Sequence, residues 1–152
     1  MPQMNQQIEE LKKIYREKPE NYVEIFEDTL AQIECPIKDA NVVTALISLL
    51  DDDAEYGELM YSIIHTAETA DDETYSVGVI NALPEMWDSS PNWLRIIHVR
   101  ILNSPTAINE YLRILNHSDE SKRLVAKEIF SSVSEKRPQL SQKATNAVSM
   151  ID

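Results

Sequence analysis

Glycine occurs twice in these 152 residues, cysteine once, and no apolar run approaches the roughly 20 residues that span a bilayer. Each scarcity excludes something. Gly57 and Gly78 alone leave no material for a phosphate-cradling loop, a nucleophile elbow or a series of tight hairpins. A single cysteine, Cys35, forms no internal disulfide and no multi-cysteine metal site, which suits a reducing compartment. The opening MPQMNQQIEELKK has no hydrophobic signal region, so the expectation is a cytoplasmic protein without membrane attachment.

Positive charge is missing from one long stretch. Between Lys38 and Arg95 there is no Lys or Arg in 56 residues, while twelve carboxylates occur there. The net charge of -12 is therefore unevenly spread: residues 1–90 carry -15 and residues 91–152 carry +3. Such a balance disfavours nucleic acid and anionic membranes as partners, because both require a positive surface. A basic protein is the complementary partner.

Helical spacing dominates what is present. Ile8, Leu11, Ile14 and Tyr15 form one stripe, ended by Pro19; Tyr22, Val23, Phe26, Leu30 and Ile33 form a second, ended before Pro36. Asp39 reads as the N-cap of a third helix running to Leu50. A fourth is expected to begin within the Asp51–Asp53 run, with Tyr56, Leu59, Met60, Ile63, Ile64 and Ala67 forming its stripe. A fifth starts near Asp72, and Pro84 should end it or open a short extra turn. Ser90-Pro91 and Ser104-Pro105 match a serine cap followed by proline at the first helical position. Ser118 is expected to cap a further helix with Leu124, Val125, Ile129 and Phe130 inside, and Pro138 to open the last. The sum is about ten helices joined by short links. The expected fold is one all-α domain over residues 1–152, an irregular α-solenoid of antiparallel helical hairpins resembling HEAT or armadillo repeats. An irregular bundle is the alternative.

Constellations that would support chemistry fail on spacing. A calcium loop counted from Asp51 needs glycine at its sixth position and glutamate at its twelfth, where Tyr56 and Ser62 stand. The residues three before His65, His98 and His117 are Ser62, Arg95 and Ile114, so no Glu-x-x-His iron site exists, and no His-Glu-x-x-His zinc motif occurs. His98, between Ile97 and Val99, reads as a hydrogen-bonded structural histidine, and Cys35 before Pro36 as a small filler. No metal, no cofactor and no catalytic residue is expected.

Three acidic clusters recur at successive helix junctions: Asp51, Asp52, Asp53, Glu55 and Glu58; Asp71, Asp72 and Glu73; Glu85 and Asp88. Taken singly, each is ordinary solvated charge and helix capping. In stacked hairpins every second junction falls on one edge, so at least two should share a face and together steer a basic protein into contact. Tyr56 and Trp87 supply aromatic anchors within this surface. Trp93 begins the stripe of its own helix and is expected in the core.

The segment LPEMWDSSPNWLRIIHVRILNSP, residues 83–105, resembles the small all-α immunity proteins of bacterial polymorphic toxin systems, the immunity protein 30 family in particular. The helix ending in Leu-Pro, the tryptophan at a helix start and the Arg-Ile-Leu-Asn that closes at Asn103 carry the resemblance. It extends loosely from about residue 40 to about residue 150, and residues 1–38 carry none of it. The resemblance implies a cytosolic protein that binds and neutralises the C-terminal toxic domain of a contact-dependent inhibition or similar secreted effector, often a nuclease, whose substrate groove is basic; a monomer in a one-to-one complex is expected. It transfers no contact residues, so the twelve positions above come from charge and aromatics alone. The alternative function is an α-solenoid interaction scaffold with no dedicated toxin.

Overall fold

The computed structural model describes residues 2–152. Among them are nine α-helices, no strand and a single 3-10 turn. The helices are α1 (Pro2–Glu17), α2 (Tyr22–Leu30), α3 (Ala40–Ile47), α4 (Gly57–Ala67), α5 (Asp72–Ser89), α6 (Pro91–Leu102), α7 (Pro105–Leu115), α8 (Glu120–Lys136) and α9 (Ser141–Ser149).

The expected count falls by one because α5 runs through Pro84. Proline in a helix interior costs about 3 kcal/mol or more. Pro84 itself lies exposed, whereas Leu83 and Met86 on either side are fully buried. Burying two such side chains gains roughly 1.5–3 kcal/mol each, enough to hold the helix across the break. The last expected helix likewise divides: Pro138–Leu140 is the 3-10 turn, and α9 begins at Ser141.

Two expected helices are shorter than their apolar stripes. Ile33 and Leu50 are both 4% exposed, yet they reach the core from the turns after α2 and α3. The aspartate run is not helical; α4 starts only at Gly57. Asp39 does cap α3, its carboxylate accepting from the Asn41 N–H at 2.9 Å. Ser104 caps α7 by accepting from the Ala107 N–H. The cap of α8 is Asp119, not Ser118, whose hydroxyl donates back to the Ile114 carbonyl. The inner stripe of α8 is Ala126, Ile129, Phe130 and Val133, so Leu124, expected inside, falls off it and is 50% exposed.

Buried apolar residues from Ile8 to Ile151 form one continuous cluster. Its centre is α5, which packs on α3, α6, α7 and α8 and buries residues on most of its circumference. A helix apolar all round belongs inside. Consecutive helices pair as α1 with α2, α3 with α4, α5 with α6, α6 with α7, and α8 with α9, while α5 also reaches α8, three helices on. The α3–α5 crossing is close because Gly78 has no side chain: a Cβ there would lie 2.4 Å from Val43. Thr44 seals the crossing, donating its hydroxyl to the Gly78 carbonyl at 2.8 Å.

His98 lies completely buried between α6 and α7. Its Nδ1 is 2.8 Å from the Leu94 carbonyl and its Nε2 is 2.6 Å from the Tyr111 hydroxyl. A carbonyl only accepts, so Nδ1 carries the proton, Nε2 accepts, and Tyr111 donates. The ring is thus satisfied while neutral. Phe130 closes the site, its ring edge-on to His98 at 5.3 Å and to Tyr111 at 5.8 Å.

Candidate partner-binding surface

The aspartate run divides into residues that hold the fold and residues that face outward. Asp51 accepts from the Tyr15 hydroxyl at 2.7 Å and from the Asp53 N–H, while its carbonyl accepts from the Trp93 indole N–H at 3.0 Å. Asp52 reaches across the fold to the start of α6 and accepts from the backbone N–H groups of Asn92 at 3.0 Å and Trp93 at 3.1 Å. The expected cap, Ser90, instead donates its hydroxyl to the Leu50 carbonyl at 2.8 Å. The α6 N-terminus is therefore capped by a carboxylate 40 residues earlier in the chain. Burial of the Tyr15 phenol, then its bond to Asp51, raises its pKa.

This clasp ties the α3–α4 loop to the α5–α6 junction and fixes where the remaining acids lie. Asp53, Glu55, Tyr56 and Glu58 are exposed on the loop and at the start of α4. Glu85 and Asp88, also exposed, belong to the last two turns of α5, at the same junction. Two of the three clusters thus adjoin. Among the described residues, none of these five carboxylates stands in an ion pair.

The third cluster lies at the opposite end of α5, an 18-residue helix and so about 27 Å long. Asp71 is spent as the cap of α5, accepting from the Thr74 N–H at 2.8 Å, which holds its pKa below the usual carboxylate range. Glu73 approaches Arg113 at 3.8 Å, and nearby Glu68 accepts from Nε and Nη2 of Arg100, both at 2.7 Å. Asp72 is half-buried. Cations of the C-terminal half thus offset acid at this end, so the three clusters do not form one continuous face.

The two tryptophans are both half-buried. Trp93, expected in the core, keeps its ring N–H on the Asp51 carbonyl and stacks edge-on against Tyr61 of α4 at 5.1 Å. Trp87 donates its ring N–H to Glu128 of α8 at 2.9 Å and lies under the Arg95 guanidinium, 5.8 Å from the ring centre. Its anchor role would require a partner to share a ring already engaged on two sides.

The sequence reading missed three residues beside the loop. Glu20, Tyr22 and Glu24, from the turn between α1 and α2 and the first residues of α2, line a groove of about 570 Å³ with Tyr56 and Glu58. The Tyr22 and Tyr56 rings stand 6.1 Å apart at 57°. The turn is shaped by two residues with positive φ, Lys18 at 45° and Asn21 at 61°. Asparagine tolerates that region, and here it sits as the N-cap residue of α2. A bond from the Ser62 hydroxyl to Glu27 at 2.8 Å pins α2 to α4. The signal was legible in outline: Glu-Asn-Tyr-Val-Glu at 20–24 and Glu-Tyr-Gly-Glu at 55–58 both place a tyrosine between glutamates at a helix start.

Among the described residues, no three His, Cys, Asp or Glu side chains stand together in a way that could hold a metal ion, and no helix is long and apolar enough to cross a membrane. A family model described as Immunity protein 30 matches residues 7–111. It begins in α1, where the sequence reading found no likeness, and it stops in α7, well short of residue 150. No curated protein and no solved structure matches the chain.

Proposed function

The chain belongs to the immunity protein 30 family, and from that premise we propose that it neutralises a cognate secreted toxin by binding it one-to-one through the acidic end of the molecule. The toxin domain is a basic one, a nuclease of the contact-dependent inhibition class, whose cationic substrate groove the acids cover. Inhibition is by occlusion, without turnover. The observation that carries this reading is the set of exposed, unpaired carboxylates Asp53, Glu55, Glu58, Glu85 and Asp88 at one end, beside Tyr56 and Trp87. Asp51 and Asp52 contribute to the field at that end while serving the fold. Asp71, Asp72 and Glu73 would meet the toxin only if it wrapped along α5.

The physics suits the task. A nuclease presents a concentrated positive field because its substrate demands one. An acidic surface steers such a partner toward association rates of about 10⁸–10⁹ M⁻¹s⁻¹ at low salt. The clasp holds the acids in place before the encounter, so less ordering entropy opposes binding.

Co-expression with the cognate toxin domain should restore growth and yield a co-purifying complex with a Kd near or below about 1 nM, roughly -12 kcal/mol. Its association should slow by about tenfold or more between about 50 mM and about 500 mM salt. Paired Glu55→Lys and Glu58→Lys substitutions should slow association further at low salt. Rescue with salt-independent association, unchanged in that double variant, would refute the acidic interface.

A further inference from the structure

The groove beside the aspartate loop is better built than charge steering requires. Its lining combines the carboxylates of Glu20, Glu24 and Glu58 with the rings of Tyr22 and Tyr56, and it includes no Lys or Arg. Carboxylates at the rim reject an anion, and they are poor company for an apolar plug. Aromatic faces flanked by carboxylates suit a cation on a long apolar stem, because the ring quadrupole attracts the head while the stem packs along the ring. The chain already shows the preference: the ammonium of Lys18 lies 4.0 Å from the Tyr15 ring centre and 5.8 Å from that of Tyr22. The Ser62–Glu27 bond keeps α2 and α4 from drifting apart, so the two tyrosines are held as a pair.

Resting on the toxin-binding reading above, we propose that this groove receives one protruding arginine or lysine side chain of the toxin, its charged head held between Tyr22, Tyr56 and the three glutamates. The remaining acids at that end then supply attraction at a distance, while this groove supplies a specific point of attachment. Residues 20–24 become part of the interface, which moves its centre from the loop toward the α1–α2 turn.

The test needs no toxin. Isotope-labelled protein is titrated in NMR with three capped tripeptides that carry arginine, lysine or citrulline, the neutral isostere of arginine, between two glycines. The expected result is saturable shifts in the amides of residues 20–24 and 56–58 with the arginine and lysine peptides, and none with citrulline. Tyr56→Ala should weaken binding about fivefold, equivalent to roughly 1 kcal/mol of exposed cation–π attraction, and Tyr56→Phe should retain it. Tyr56 is 40% exposed, so both variants should remain folded, which circular dichroism checks. Equal response to citrulline, shifts that spread over all the acidic residues without saturating, or unchanged affinity in Tyr56→Ala overturns the inference. Growth rescue is scored separately: rescue without peptide binding leaves the immunity reading standing, and peptide binding without rescue defeats that reading alone.

Discussion

Asp52 holds the start of α6 as well as standing in the acidic cluster, and its replacement by alanine measures the first of these roles. Both carboxylate oxygens accept backbone N–H groups at the start of α6. Loss of an N-cap costs about 0.5–2 kcal/mol, and the charge at a helix N-terminus adds about 0.3–1 kcal/mol. Water can reach the freed N–H groups, since Asn92 is exposed, so the expected loss is about 2 kcal/mol. For a chain of this size that lowers the melting temperature by roughly 4–8 °C. Asp52→Asn keeps an acceptor without the charge and should lose about half as much. Asp53→Ala is the control: its exposed carboxylate makes no bond in the fold, so its effect should stay within about 0.5 kcal/mol. Thermal and urea unfolding by circular dichroism measure all three. If Asp52→Ala and Asp53→Ala unfold alike, the long-range cap does not stabilise the fold. Reversing all three aspartates together to lysine would break the clasp as well as the field, so charge-reversal tests of binding belong at Glu55 and Glu58.

Acid should weaken the fold through His98. Burial pushes its imidazole down to about 4, whereas in the unfolded chain it titrates near 6.5. The unfolded state therefore takes up the proton first: stability is full above about pH 6.5 and falls by up to roughly 3 kcal/mol as pH drops to about 4. Urea midpoints between about pH 7 and pH 5, above the main carboxylate range, should show this decline, and a flat profile would contradict it. Tyr111→Phe, which removes the donor to His98 Nε2, should cost about 1–3 kcal/mol in the same assay. Gly78→Ala, ordinarily favourable in a helix, should destabilise by about 1–3 kcal/mol because the added Cβ would collide with Val43. An unchanged or raised melting temperature would show that α3 and α5 part easily.

Local rules carried the reading of the sequence where local contacts decide. The caps Asp39 and Ser104, the prolines opening α6 and α7, the stripe of α1 and that of α4 from Leu59 onward follow from spacing alone, whereas Tyr56, expected at the head of the α4 stripe, stands exposed before the helix. Errors arose where distant residues intervene. Asp52 looks like the first turn of α4, but the open N-terminus of α6 draws it out of any helix. Pro84 looks like a stop, but burial on both sides of it carries α5 onward. For the candidate surface, Glu55, Tyr56 and Glu58 were picked out by charge and aromatics along the chain. Glu20, Tyr22 and Glu24 repeat the same pattern of a tyrosine between glutamates, but only the packing of α2 on α4 brings them alongside. The pairing of Glu68 and Glu73 with arginines about 30 to 40 positions downstream, which lowers the charge at the far end of α5, is equally invisible to a count along the chain.

The aromatic knot at the centre has a bearing on how this protein is divided for experiments. His98 and Tyr111 belong to the span shared with the family, but the Phe130 ring that seals them comes from α8, beyond it. A fragment trimmed to the shared span would leave the imidazole and phenol bathed in water and one flank of α5 bare, a sticky half-core prone to aggregate. The smallest piece worth expressing must therefore reach through α8, some way past the point where the family match stops.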